Sequence, residues 1–380
     1  MLIGGSWLED LAAQQFLVAV ERHGHVAFFV GGCVRNALMQ RPVHDIDIAT
    51  SASPEMVSNI AESIGFRVIP TGLSHGTVTI LAHQTALEVT TFRRDLVTDG
   101  RHAKVGYTKS IEEDAQRRDF TMNAIYADRS GKVIDPIGGL DDAVNRRIRF
   151  VGDPNLRIRE DYLRILRFFR FYAVYGDPEA GINAEGLAAC TANLAGLEML
   201  SKERIGSEMR KLLGAVCPVQ AVASMAQAGV LTCVLPGADP RWLGLLHHLE
   251  EGTALNWLRR LVAIGGVNPD QNLRLSRDES RIRKCLLDEI GSPHSPAALG
   301  WLIGESKALD VMLLRSAMFG TTLPHQWKEE VARGAAAELP VAARDLMPDL
   351  VGKALGARLR KIETRWLASD LQLGKAQLLA

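Results

Sequence analysis

The sequence predicts an α+β protein: a head of about five strands with interleaved helices over residues 1–150, then helices only. Three observations carry that prediction. Short β-branched and aromatic runs bounded by Gly, Pro and polar residues recur through the first third. They fade near residue 155, where long stretches with apolar residues at helical spacing begin. At 380 residues the chain has room for two or three domains at roughly 100–200 residues each.

Residues 8–22 place apolar side chains at helical spacing, and His23-Gly24-His25 ends the run. Val26 to Val30 reads as a first strand and runs into Gly31-Gly32, after which Val34 to Met39 fits a helix. Ile46 to Ala49 is a second strand. Ser53 is placed to cap a helix whose first residue is Pro54. Phe66 to Ile69, Thr77 to Leu81 and Leu87 to Phe92 complete the five strands. Beyond them, Glu160 to Tyr175 and Lys202 to Leu213 predict long amphipathic helices, and the last 160 or so residues read as many helices joined by short loops. The expected division is a head over 1–150, a helical neck over 151–220 and a helical body and tail over 221–380.

Composition narrows the function. Hydrophobic residues make up 47% and charged residues 23%, as in ordinary globular proteins, which excludes disordered, fibrous and disulfide-scaffold classes. Forty-four basic and 44 acidic residues give zero net charge, so bulk charge cannot hold nucleic acid and only local basic patches could. The five cysteines (33, 190, 217, 233 and 285) have no CxxC spacing and fit a reducing, cytoplasmic location. The first residues lack a basic and apolar leader pattern. No apolar run approaches the 18 or so residues of a membrane span.

The chemistry concentrates in His44-Asp45-Ile46-Asp47-Ile48. On a strand, Asp45 and Asp47 point to one face while Ile46 and Ile48 point to the other. Adjacent carboxylates repel, and a hard divalent cation with oxygen ligands relieves the repulsion; Mg²⁺ completes its shell with water and substrate phosphates. Gly31 and Gly32, between a strand and a helix, let backbone N–H groups approach a triphosphate, and Arg35 lies one turn further on. An isolated Asp-x-Asp is most often a solvated turn; strand, Gly-Gly, helix and Asp-x-Asp within a span of this length are far more specific. Glu88 is either a third carboxylate or an outward strand residue.

The run GGCVRNALMQRPVHDIDIAT resembles the signature of the polymerase-beta-like nucleotidyltransferases, and among them class II CCA-adding tRNA nucleotidyltransferases and bacterial poly(A) polymerases. The resemblance implies a polymerase-beta-like head and nucleotidyl transfer with a two-metal clamp. Carried over, Asp45 and Asp47 would be metal ligands and Gly32 and Arg35 nucleotide contacts; the residues themselves add Gly31 as a nucleotide contact and Glu88 as a candidate catalytic carboxylate. Arg117 to Ala124 (RRDFTMNA) is similar to the family's ribose-recognition segment, which singles out Arg118 and Asp119. Pro136 to Gly139 and Arg147 to Arg149 resemble the structural join of head and neck.

Glu160 to Arg170 (EDYLRILRFFR) resembles the EDxxRxxR motif, in which the protein itself pairs with the incoming base. Read as one helix, Asp161, Arg164 and Arg167 form a row. This is either a salt-bridged solvated face or a set of donors and acceptors for a base edge. The resemblance assigns base pairing to Asp161 and Arg164 and support to Arg167 and Arg170.

Pro70 to Thr79 and the stretch Arg94 to Val105, with Arg101 and His102 in place and Ala103 where the family often has proline, resemble the CCA-adding branch, and no Gly-Arg-Arg-Phe-type stretch of the poly(A) branch is found. The only His-Asp pair is His44-Asp45, so a C-terminal phosphohydrolase domain is not indicated. Gly352 to Leu359 and Trp366 to Leu379 resemble C-terminal helices of the family. Arg274, Arg277, Arg281, Arg283 and Lys284, with Arg358, Arg360 and Lys361, are either solvated faces or contacts to a tRNA backbone. Trp242, Trp257, Trp301 and Trp366 read as core residues. The function expected is addition of CCA to the 3′ end of tRNA from CTP and ATP with Mg²⁺, without a membrane or a protein partner. A poly(A) polymerase, a CC-only or A-only variant and a silent RNA-binding relative are the alternatives.

Overall fold

The computed structural model describes residues 1–69, 76–97 and 104–380. The segment Pro70 to His75 and the residues Arg101, His102 and Ala103, on which two expectations rest, lie outside the described residues. The chain divides into two compact units: residues 1–208 with 220–233, and residues 209–219 with 234–380.

The first unit opens with α1 (Leu11–Arg22), β1 (Ala27–Val30), α2 (Gly32–Leu38), β2 (Ile46–Thr50), α3 (Pro54–Ser63), β3 (Arg67–Ile69), β4 (Thr77–Ala82) and β5 (Thr85–Thr91). There follow β6 (Arg93–Val97), β7 (Lys104–Tyr107), α4 (Ile111–Gln116), β8 (Tyr126–Ala127), β9 (Val133–Ile134) and α5 (Leu140–Val144). Helices α6 (Pro154–Glu160), α7 (Leu163–Tyr175) and α8 (Ala184–Ala192) complete the stretch before the division. The main sheet runs β3-β4-β5-β2-β1-β8-β9, and β6 pairs with β7 separately. Only the β2–β5 pair is parallel within the described sheet. Period-two burial explains the sheet: Ile46 and Ile48 of β2 and Leu87 and Val89 of β5 are buried, with Asp47 and Glu88 on the opposite face.

Five strands were expected and seven form the sheet. The additional β8 and β9 are two residues each, too short to show a period. Ser53 caps α3 as its sequence position requires, accepting from the Met56 N–H at 3.2 Å. The helix expected over Glu160–Tyr175 is broken. Asp161 has φ −154° and ψ 103°, ends α6, and accepts the Leu163 N–H at 3.1 Å. The Asp side chain competes with the helical backbone and starts α7 afresh. Asp161 therefore does not share a helix with Arg164 and Arg167. An aromatic cluster ties α7 to the sheet side of the same unit: Phe171 packs on Phe120 at 4.7 Å and Phe168 on Phe150 at 5.3 Å.

Helices α9 (Lys202–Leu213), α10 (Val219–Gln227) and α11 (Val230–Val234) carry the chain across the division. The second unit then contains α12 (Leu243–Leu249), α13 (Trp257–Ile264), α14 (Pro269–Asn272), α15 (Arg277–Ile290), α16 (Pro296–Ile303), α17 (Glu305–Phe319), α18 (Trp327–Ala335), α19 (Gly352–Ala368) and α20 (Lys375–Leu379). The run from Trp366 to Leu379 holds the end of α19 and all of α20, with a turn between them. Helices α16 and α18 cross at glycines: a Cβ on Gly334 would lie 1.8 Å from the Ala297 carbonyl. A buried ion network holds the unit. Glu250 accepts from Arg259 at 2.7 Å and Arg260 at 2.9 Å, and Asp310 accepts from Arg259 at 2.6 Å. Trp366 is buried against Trp301, but Trp242 is 36% exposed, so it is not the core residue expected.

Candidate active site

The site begins with the register of the parallel strands. Asp47 of β2 and Glu88 of β5 are Cα partners, so both carboxylates leave the sheet on the same side. Asp45 immediately precedes β2 and is exposed. Burial pushes the Asp47 carboxyl up, the Glu88 and Asp45 charges push it further, and Arg118 and Arg35 pull it back; the result is a value of about 6. Asp47 thus sits in a concentration of negative charge that Arg118 and Arg35 offset only in part, and a cation bound there would relieve it further.

Across from Asp47, Gly31 adopts φ +70° and ψ −117° at the end of β1, a conformation suited to glycine. Its N–H reaches the Ile125 carbonyl at 3.4 Å. A Cβ at Gly31 would lie 3.6 Å from Arg118 Nη1 and 4.0 Å from Asp47 Oδ2, and one at Gly32 would lie 3.7 Å from the same oxygen. The two glycines therefore keep the space beside Asp47 clear.

Arg35, an expected nucleotide contact, is buried, at 6% exposure. Its guanidinium donates to Tyr175 Oη at 2.7 Å, to Asn36 Oδ1 and to Asn123 Oδ1, and stacks over the Tyr175 ring at 4.0 Å. Burial lowers its pKa from the usual value. Asn123 in turn donates to Asp119 Oδ1 at 2.9 Å. Asp119 Oδ2 accepts from Arg167 Nε at 2.8 Å and from Arg167 Nη2. Burial would raise the Asp119 pKa, but Arg167, Asn123 and the Phe120 N–H hold it at about 2. Tyr175, Arg35, Asn123, Asp119 and Arg167 thus form a continuous chain from α7 through α2 and back to α7.

The remaining expected residues lie along the α6–α7 break. Arg164 donates to the Arg157 carbonyl at 2.6 Å, to Glu160 and to the Arg117 carbonyl at 3.3 Å. Asp161 Oδ2 accepts from Arg204 at 2.8 Å, with both side chains part-exposed. Arg170 pairs with Glu208 at 2.6 Å and stacks on Phe171. A direct ion pair joins Asp119 to Arg167; Arg118 is bonded to Asp114, Tyr126 and the Asn123 carbonyl and only faces the Gly31–Asp47 edge; Asp161 and Arg170 are held by other partners.

Sequence reasoning missed Asp114, Asn123, Tyr175, Glu160, Arg204 and Glu208 as partners of the site. Asp114 had a readable signal, an acid four residues before Arg118 on a helix. Arg204 and Glu208 come from a distant segment and had none.

Residues 27–149 match the family model described as Poly A polymerase head domain. Residues 181–241 match one described as a probable RNA and SrmB- binding site of polymerase A. The CCA-adding enzyme of Geobacillus thermodenitrificans is 34% identical over 381 residues, covering 92% of this chain and 90% of the relative. The chain belongs to the CCA-adding family of tRNA nucleotidyltransferases. CCA tRNA nucleotidyltransferase 1, mitochondrial, of Danio rerio is a further CCA-adding relative, 31% identical over 92% of this chain and 85% of its own. The solved CCA-adding enzyme of Bacillus stearothermophilus in complex with CTP superposes with a TM-score of 0.72 at 30% identity, over 94% of this chain and 93% of that one. The Thermotoga maritima CCA-adding enzyme complexed with tRNA, at 18% identity and a TM-score of 0.71, shares the fold. Membership of this nucleotidyltransferase family carries a dependence on a divalent metal ion.

The residues at hand fit such an ion. Asp47 and Glu88 stand side by side, Arg118 and Arg35 offset the charge at Asp47 only in part, and the adjacent glycines leave room. Among the described residues no group of three or more His, Cys, Asp or Glu is disposed to hold a metal by itself. The fit is to a hard cation whose shell substrate phosphates and water complete.

Proposed function

We propose that this chain adds CCA, one nucleotide at a time, to the 3′ end of tRNA, taking CTP and then ATP. The observation that carries the reading is the resemblance along nearly the whole chain to CCA-adding enzymes, joined to the Asp47–Glu88 pair facing a glycine-lined space. The head over 1–150 carries the transfer, the neck over 151–220 selects the base, and the body and tail over 221–380 hold tRNA.

Asp45 and Asp47 would hold Mg²⁺, with Glu88 as a third carboxylate beside them. Bound there, the cation would supply charge neutralisation at the reacting phosphate and ease loss of the proton from the 3′-hydroxyl. The protein's own groups do the rest. Gly31 and Gly32 admit the triphosphate close to the backbone, and Arg118 faces it with Nη1. Asp119 accepts from the ribose hydroxyls, pre-aligned by Arg167 and Asn123. Arg35, whose donors are already committed, acts by holding Asn123 and Tyr175 where they are.

Asp161 and Arg164 read the base edge, the carboxylate accepting from an exocyclic amino group and the guanidinium donating to ring nitrogen and carbonyl oxygen. Glu160 and the Arg117 carbonyl fix the Arg164 plane beforehand, and Arg167 and Arg170 keep α7 aligned. The exposed Arg277, Arg281, Lys284, Arg360 and Lys361 contact tRNA phosphates, which lends affinity without sequence information. The five free cysteines, with Cys33 and Cys190 buried, support a cytoplasmic location.

The test is a choice of acceptor. Supplied with an oligoadenylate primer and a tRNA lacking its three terminal nucleotides, the enzyme should extend only the tRNA. Preferential extension of the primer would make it a poly(A) polymerase.

A further inference from the structure

Asp114 takes no part in the chemistry above, yet its side chain is wholly enclosed, at 0% exposure. A carboxylate so buried is costly unless its surroundings satisfy it. Here Oδ1 accepts from Arg117 Nε at 3.0 Å and from the Arg93 N–H, the first residue of β6, at 3.2 Å. Oδ2 accepts from Arg118 Nη2 at 2.9 Å, Arg118 Nε at 3.2 Å and the Tyr126 hydroxyl at 2.7 Å. The Tyr126 hydroxyl also accepts from Arg118 Nε at 3.1 Å, and the Arg118 guanidinium lies over the Tyr126 ring at 5.2 Å. With Nε and Nη2 taken up on that side, Nη1 turns towards the Asn123 carbonyl at 3.5 Å and the Gly31 edge.

We propose that Asp114 is a positioning residue for nucleotide binding, fixing the Arg118 guanidinium so that Nη1 faces the space between Gly31 and Asp47, and tying the start of β6 to the same point. The proposal rests on the reading of Arg118 as a nucleotide contact. An arginine already held in one geometry loses little freedom when it grips a phosphate, whereas a loose one loses much. Burial would raise the Asp114 pKa, but Arg118 and Arg117 hold it well below the carboxylate range, so the pair stays charged at any working pH. The effect of Asp114 therefore belongs in KM for the nucleotide rather than in kcat.

The experiment is single-nucleotide incorporation by the full chain, with CTP and with ATP, for Asp114→Asn, Arg118→Ala and the double variant. Asp114→Asn should raise KM for both nucleotides about tenfold, the scale of one lost charged hydrogen bond, with kcat within about threefold. In the Arg118→Ala background it should change KM no further, because its effect passes through Arg118. Asp142→Asn, at a buried carboxylate that accepts from Thr121 and Arg149 and has no link to Arg118, is the control and should leave KM unchanged. An equal rise in KM with Asp142→Asn, or full additivity in the double variant, would reduce Asp114 to a structural residue and overturn the proposal. If Asp114→Asn does not melt cooperatively, Tyr126→Phe decides: a rise of about threefold in KM that vanishes in the Arg118→Ala background is expected, and an unchanged KM overturns the proposal. An unchanged KM in Arg118→Ala alone would instead overturn the underlying reading of Arg118.

Discussion

Asp47 and Glu88 are neighbours across the one parallel strand pair of the described sheet, and the Glu88 charge raises the cost of ionising Asp47. Parallel register puts paired side chains on one face at a fixed spacing, so the concentration of charge is built into the backbone and does not depend on flexible side chains. Asp45→Ala and Asp47→Ala should each lower nucleotide incorporation by about a thousandfold or more, the scale of losing a principal electrostatic stabiliser. Filter binding of tRNA should be nearly unchanged. Full-rate incorporation by either variant would remove the metal assignment.

The same crowding makes a pH prediction. The Asp47 carboxyl titrates near 6 in the folded protein, above the value of 3.8 for an ordinary aspartate. The folded state thus binds the proton more tightly than the unfolded one, so stability contributed by protonated Asp47 is present below about pH 4 and is lost as pH rises through 6. In the absence of divalent metal, Asp47→Asn should melt higher than the wild type at pH 7.5, by an amount on the order of 1 kcal/mol, with the advantage gone at pH 4. Adding Mg²⁺ at pH 7.5 should raise the wild-type melting temperature and not that of Asp47→Asn. A variant destabilised equally at both pH values would refute the electrostatic account.

Gly31 at φ +70° and ψ −117° is the position where the backbone itself is committed. Gly31→Ala should cost about 1–3 kcal/mol in a urea melt through backbone strain and should raise KM for both nucleotides, since the added methyl sits between Arg118 and Asp47. A variant with native stability and KM would show that the clear space is incidental.

Arg164→Ala should blur the choice between CTP and ATP by about 10- to 100-fold, the discrimination a good bidentate base contact supplies. The rate with the correct nucleotide should fall less. Competition of the two nucleotides on a tRNA ending at its discriminator base measures this, and unchanged selectivity would withdraw Arg164 from base reading.

In the second unit, Glu250→Leu leaves Arg259 and Arg260 buried without their shared carboxylate. It should destabilise by about 3–5 kcal/mol, read as a lower urea midpoint. A midpoint within experimental scatter of the wild type would show the network to be dispensable.

Much of the head was legible because its signals are local. Ser53-Pro54 announces a helix start through a single side-chain bond, and Ile46 and Ile48 announce a strand by alternation. The Asp161 break was not legible, because apolar spacing continues through it and only the φ of one residue departs. Strands β8 and β9 escaped because two residues carry no period; they exist by pairing with β1 and with each other. The motif residues were legible by type, but Arg118 and the glycines are far apart in sequence and only the fold brings Nη1 to face Gly31. Their buried supports, Glu208 for Arg170 and Arg204 for Asp161, are brought in from α9, and nothing near the motif specifies them.

The central claim is that this chain chooses and counts its nucleotides without a nucleic-acid template. The measurement that tests it most directly is the product length on a denaturing gel when the enzyme, Mg²⁺ and a tRNA lacking its three terminal nucleotides are given CTP alone, ATP alone, or both. Two added nucleotides with CTP alone and a stop at three with both are predicted. A long ladder with ATP alone, or no extension under any condition, would contradict it.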